Sequence, residues 1–305
     1  MRQLLGGAIA VLFLAGSLPV GCGGGDRAGP SEPEATLAPE LRSLYDYEPG
    51  PLDVQEGESR KWDSAVVRDL SYAGPEGRIT AYYVTPQGEG PFPAVVFMHG
   101  SPGQRVTFLG EAVELAQRGI ASVLPDAPFA RSPRPPDVDF TDGDPARLSQ
   151  LVIELRRAVD FLVEQDEVDP SRLGYVGFSW GGSLGANFAA VERRVGSFVL
   201  ISGVPRLSER LVEIGEEREI QGLEGYADVI EPYDAVNYLG DVAPNALYLQ
   251  FGEQDTAPSP EQGQEMMDVA SEPKELHLYD AGHELNDEAK ADRANWLAER
   301  FELEG

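Results

Sequence analysis

The ten residues Gly174-Tyr175-Val176-Gly177-Phe178-Ser179-Trp180-Gly181-Gly182-Ser183 restrict the fold of this chain more than any other stretch. An apolar run gives way to a run of small residues, and a serine stands two residues from a glycine on either side. This is the G-x-S-x-G spacing of a strand-turn-helix bend that holds a serine hydroxyl above a sheet, with flanking glycines keeping Cβ atoms out of the crowded turn. Such a bend requires a buried strand before it, a helix after it, and partners for the hydroxyl from elsewhere in the chain.

The surrounding sequence supplies strands and helices in alternation. "RITAYYVTP" (78–86) alternates and predicts an early antiparallel strand, whereas "PAVVFM" (93–98) is continuously apolar, as expected of a strand covered on both faces. A helix over 111–118 and a strand over 121–124 come next, and Asp144-Pro145 opens a long helix with proline in its first turn. Leu148, Leu151, Val152, Leu155, Val159 and Leu162 make one stripe at helical spacing, read as core packing. The strand into Ser179, a helix over 181–192 and strands over 197–202, 246–251 and 275–280 complete the pattern. It predicts an α/β chain with a mostly parallel central sheet and helices on both faces. The segment 203–242 is too long for an ordinary connection; it reads either as a small cap beside the site or as a surface insertion before the strand that carries the acid.

A serine hydroxyl is a weak nucleophile near neutral pH, so it needs a base, and the base needs an orienting group. The chain has three histidines. His99 ends a buried strand in "FMHGSPG", His277 lies inside the strand-like "ELHLYD", and His283 lies in the glycine-containing loop "YDAGHELN". Only His283 combines a loop position with the chain order serine, acid, histidine. Asp255, after the strand "LYLQF" and Gly252, is the expected acid, with Glu253 and Asp280 as competitors. The backbone N–H groups of Trp180 and Ser101 are the expected oxyanion donors, since Pro102 has none to offer. His99 is then a loop-fixing residue and Asp126 a turn cap. Phe129, Arg131 and Arg134 either rim a pocket or belong to an unremarkable loop.

Charge limits the partners. With 24 Lys+Arg against 52 Asp+Glu the chain carries −28, which works against any polyanion and hence against nucleic acid. Residues 1–22 read as a signal peptide: Arg2, an apolar run, then "LPVGC", a lipobox-like end in which Cys22 would become the acylated N-terminus. Pro19 departs from the usual pattern. Cys22 is the only cysteine, so no intramolecular disulfide exists. Residues 23–45 are expected to be a flexible linker and 46–305 one folded domain.

The strings "PFPAVVFMHGSPG", "VDPSRLGYVGFSWGG", "FGEQDTAPSP" and "YDAGHELN" resemble the α/β-hydrolase superfamily over about residues 62–302, and in detail its dienelactone hydrolase and acetyl-xylan-esterase-like branch. The resemblance implies a Ser179-Asp255-His283 triad, an acyl-enzyme intermediate, and neither metal nor organic cofactor. Dienelactone hydrolases use a cysteine nucleophile; serine here points to an ordinary carboxylic ester. The resulting expectation is a secreted or lipid-anchored serine esterase acting on small-molecule esters, touching membrane only through a lipidated N-terminus. The competing reading is a non-catalytic surface lipoprotein of the same fold that binds a ligand or partner.

Overall fold

The computed structural model describes residues 37–133 and 135–303. The expected signal peptide, Cys22, most of the expected linker and Arg134 lie outside the described residues. Within the last residues of the expected linker, α1 (Pro39–Ser43) is helical and Tyr45 is fully buried. The Tyr45 hydroxyl accepts from Asn187 Nδ2 at 2.7 Å and donates to Tyr238 Oη at 3.3 Å. One tyrosine among polar residues finds a buried site that composition does not reveal.

After α1 come β1 (Gln55–Trp62), β2 (Ala65–Gly74), β3 (Gly77–Pro86), β4 (Phe92–Met98), α2 (Leu109–Gln117) and β5 (Ala121–Pro125). The middle of the chain forms α3 (Asp144–Val163), β6 (Val168–Phe178), α4 (Trp180–Val191), β7 (Ser197–Ile201), α5 (Leu207–Glu217) and α6 (Tyr226–Ile230). The last elements are β8 (Ala246–Gly252), α7 (Pro260–Val269), β9 (Lys274–Tyr279) and α8 (Asp287–Arg300). One sheet has the order β1-β2-β3-β5-β4-β6-β7-β8-β9. The pairs from β1 to β5 are antiparallel, and every pair from β5 through β4 to β9 is parallel.

Alternation along the central strands builds two cores, one on each face of the sheet. Ala94, Val96 and Met98 of β4 pack with the α3 and α4 side, while Val95 and Phe97 pack with Phe108, Leu109 and the α8 residues Trp296 and Leu297. The α3 stripe lies wholly in the first core, with Leu155 and Val159 fully buried. Burial of each such side chain stabilises by about 1.5–3 kcal/mol. Sequence patterning missed β1 and β2. All eight β1 residues are exposed, so no buried face writes an apolar period into them. The β6, β8 and β9 chains run the same way, so the loops after them gather at one rim, where ligand crevices form in open α/β sheets.

Candidate active site

Ser179 sits between the end of β6 and the start of α4 with φ 55° and ψ −108°. A non-glycine residue held in such a region costs about 1–3 kcal/mol and persists only where its surroundings impose it. They do so here. The Ser179 N–H donates to Ile201 O at 2.8 Å, and the Ser183 N–H and hydroxyl donate to Ser179 O at 2.8 and 3.1 Å. A Cβ at Gly181 would lie 2.5 Å from Met98 O, and one at Gly177 would run into the Gly181 carbonyl. Both glycines of the motif are therefore required by close backbone approach.

The structure brings the three predicted side chains together. His283 Nε2 lies 3.1 Å from Ser179 Oγ, and His283 Nδ1 lies 2.7 Å from Asp255 Oδ2. Asp255 is buried, and its other oxygen accepts from Ala257 N–H at 3.1 Å. A carboxylate facing Nδ1 keeps the proton there, which leaves Nε2 free to accept from the serine hydroxyl. The Phe178 ring packs 5.0 Å from the His283 ring.

Two supporting residues escaped sequence reasoning. The Ser202 hydroxyl, buried at the end of β7, donates to the His283 carbonyl at 2.9 Å, and its N–H donates to Gln250 O at 2.9 Å. Ser183 Oγ also accepts from Val204 N–H at 2.9 Å, tying the start of α4 to the segment after β7. Their only signal was a small polar residue at the edge of an apolar run, which is too common to single out.

The remaining candidates sit elsewhere. His99 is buried; its Nε2 accepts from Ala127 N–H at 3.1 Å, so its Nδ1 carries the proton and donates to Gly100 O at 2.8 Å. His277 is exposed on β9, with Nδ1 3.0 Å from Tyr248 Oη. Glu253 is exposed, and Asp280 accepts from Gln254 Nε2 at 2.5 Å. Asp126 fastens the turn before α2, accepting from Arg105 N–H at 2.8 Å and Thr80 Oγ1 at 2.7 Å. Arg131 turns inward: it donates to Glu154 at 2.6 Å and to Arg78 O at 2.9 Å, so it is not a rim residue. Burial pushes the Glu154 carboxyl above its ordinary value, against the pull of Arg131.

A cavity of about 500 Å³ opens over Ser179 and His283. Ser101 and Trp180 line it, and a Cβ at Gly100 would come within 2.7 Å of Ser179 Cβ, so the loop after β4 lies against the serine. Val204, Leu207, Leu211 and Ile214 form an apolar wall, so the 203–242 segment shapes the cavity. A second cavity of about 220 Å³ shares Trp180 and Asp137 with it and includes Phe129. Among the described residues, no group of three or more His, Cys, Asp or Glu is placed to hold a metal ion.

A family model described as alpha/beta hydrolase fold matches residues 93–223. The acetyl xylan esterase from Paenibacillus sp. R4 superposes with a TM-score of 0.72 at 22% identity, over 88% of this chain and 96% of that one. Acetyl xylan esterase 1 from Thermoanaerobacterium sp. gives a TM-score of 0.69 at 19% identity, over 86% of this chain and 98% of that one. Acyl-coenzyme A amino acid N-acyltransferase 2 of Rattus norvegicus is 30% identical over 128 residues, which is 42% of this chain and only 28% of that enzyme. Together with the sheet order, these likenesses give the chain the α/β-hydrolase fold.

Proposed function

We propose that this protein is a serine carboxylesterase in which Ser179 is the nucleophile, His283 the base and Asp255 the residue that orients it. One observation carries the reading: the continuous path from Ser179 Oγ to His283 Nε2 at 3.1 Å and from His283 Nδ1 to Asp255 at 2.7 Å. His283 takes the serine proton as Oγ attacks the ester carbonyl, then returns it to the departing alkoxide, leaving an acyl-serine and a free alcohol. Water enters, gives a proton to His283 and attacks the acyl carbon; collapse releases the carboxylic acid and regenerates Ser179. The Trp180 N–H, without an intrahelical acceptor at the first position of α4, and the Ser101 N–H are the donors assigned to the oxyanion.

Acyl transfer to an amine in place of water is a second reading, favoured by the likeness to the rat N-acyltransferase. It uses the same acyl-serine and differs only in the acceptor. Hydrolysis of para-nitrophenyl esters from acetate to octanoate by the wild type and by Ser179→Ala tests the scheme, with added glycine reporting transfer. Turnover lost in the variant supports it. A folded protein without turnover, unlabelled at Ser179 by a fluorophosphonate, returns the chain to the non-catalytic binding alternative.

The N-terminal segment supports export, with Cys22 acylated as a membrane tether. Incorporation of labelled palmitate into the wild type and its loss in Cys22→Ala is the corresponding check.

A further inference from the structure

The wall that α5 presents to the cavity is charged in an unexpected sense. Leu207, Arg210, Leu211, Ile214 and Arg218 all line the cavity, and their spacings of three and four residues put them on one helical face. Glu209 and Glu216 are exposed and fall on the opposite side of the same segment, while Glu213 and Glu217 stand beside Arg210 at the edge of the face. Acids outnumber bases 52 to 24 in the whole chain, yet the cavity lining has the two arginines against one acid, Asp137.

Neither arginine is held firmly by the protein. Arg210 reaches Glu213 at 3.1 Å and Glu217 at 3.9 Å, but those carboxylates are 62% and 68% exposed and so bind weakly. Arg218 forms no ion pair within 4.0 Å among the described residues; its guanidinium lies 5.9 Å from the Phe140 ring. Arg210, with 26% of its side chain exposed, lies partly screened beside the apolar wall, and Arg218 stands exposed at its edge; such guanidiniums suit a carboxylate that arrives on an apolar chain and exchanges for a weak partner.

We propose that the cavity selects esters whose non-reacting end carries a carboxylate, with the apolar wall holding the connecting chain and Arg210 and Arg218 supplying the counter-charge. The proposal rests on the esterase reading and names the substrate class of the same site. An overall charge of −28 repels anionic substrates at long range, so local cations at the cavity are what admits them.

The test compares the para-nitrophenyl monoester of adipate with para-nitrophenyl hexanoate, a neutral ester of matched chain length. The expected result is a kcat/KM about tenfold higher for the adipate monoester, with that ratio falling toward parity in Arg218→Gln and Arg210→Gln because KM rises more for the adipate monoester than for hexanoate. Arg218→Lys, which keeps the charge without the fork, should retain part of the preference. Thermal melts of the variants show whether they are folded. Equal or faster hexanoate turnover by the wild type, or equal losses on both esters in the glutamine variants, overturns the substrate class and leaves the esterase standing. Absence of turnover on both esters, with Ser179 unlabelled by fluorophosphonate, overturns the two together.

Discussion

The Ser202 hydroxyl donates a 2.9 Å hydrogen bond to the backbone carbonyl of His283. Ser202 has φ 48° and is almost completely buried, so the end of β7 is bent to reach across to the loop after β9. In the proposed scheme Ser202 is a positioning residue. Ser202→Ala should lower kcat about tenfold with KM nearly unchanged, since small displacements of a base are expensive in rate. Steady-state kinetics on a para-nitrophenyl ester check this; a change in KM alone would assign Ser202 to binding.

Asp255→Asn separates orientation from packing. The amide is isosteric, but its NH₂ can face Nδ1 and push the histidine proton to Nε2, the nitrogen that must accept from Ser179. A fall in kcat of about 10³-fold or more is expected with little change in Tm. Glu253→Gln, altering an exposed side chain, should leave kcat near the wild-type value.

Gly181→Ala places a Cβ 2.5 Å from Met98 O, a backbone atom of the central strand that cannot give way locally. A loss of about 3 kcal/mol is expected by urea denaturation. Gly110→Ala in α2 meets nothing within 4 Å and should instead be neutral or stabilising by about 0.5 kcal/mol.

Arg293 on α8 holds Glu111 on α2 through two hydrogen bonds of 2.6 and 2.7 Å, with both side chains more than nine-tenths buried. Arg293→Met leaves a buried carboxylate without its partner and should cost about 3–5 kcal/mol, whereas the double substitution with Glu111→Leu should recover much of the loss. Paired denaturation curves for the single and double variants measure it.

Hydrogen bonds from Ser171 and the guanidinium of Arg172 hold the Asp169 carboxyl down at about 2, against an ordinary value of 3.8. Because the folded-state value is the lower one, the stabilisation is complete above 3.8 and is lost as pH falls toward about 2. The Tm advantage of the wild type over Asp169→Asn should therefore be flat near neutrality and begin to shrink below about pH 4. An advantage that grew on acidification would contradict the pairing.

The parts of the fold legible in the chain were those with a repeating apolar signal. The α3 stripe and the continuous runs of β4, β7 and β8 announce burial on one or both faces, and the elements form within a residue or two of where that pattern ends. The exposed strand β1 carries no such signal. The start of α7 did carry one: Ser259 and Gln262 make a reciprocal capping box, and that S-x-x-Q spacing was there to be read. The two readings of Arg131, pocket rim or ordinary loop, were not separable in the sequence, because a loop arginine looks the same whether it faces water or the buried Glu154.

By itself the amino-acid sequence determined the alternation of strand and helix, the glycine-flanked turn at Ser179, and the short set of residues able to partner it, because local sterics and apolar periodicity act over a few neighbouring residues. Which of those residues meet, and at what distance, was decided by the tertiary structure. The parallel order of β6, β8 and β9 brings Ser179, Asp255 and His283 to one rim across 104 residues of chain, and the Ser202 contact and the arginine-bearing wall of α5 exist only once that sheet has formed. Contacts between residues so far apart arise from how packed layers fit together, and no local pattern encodes them.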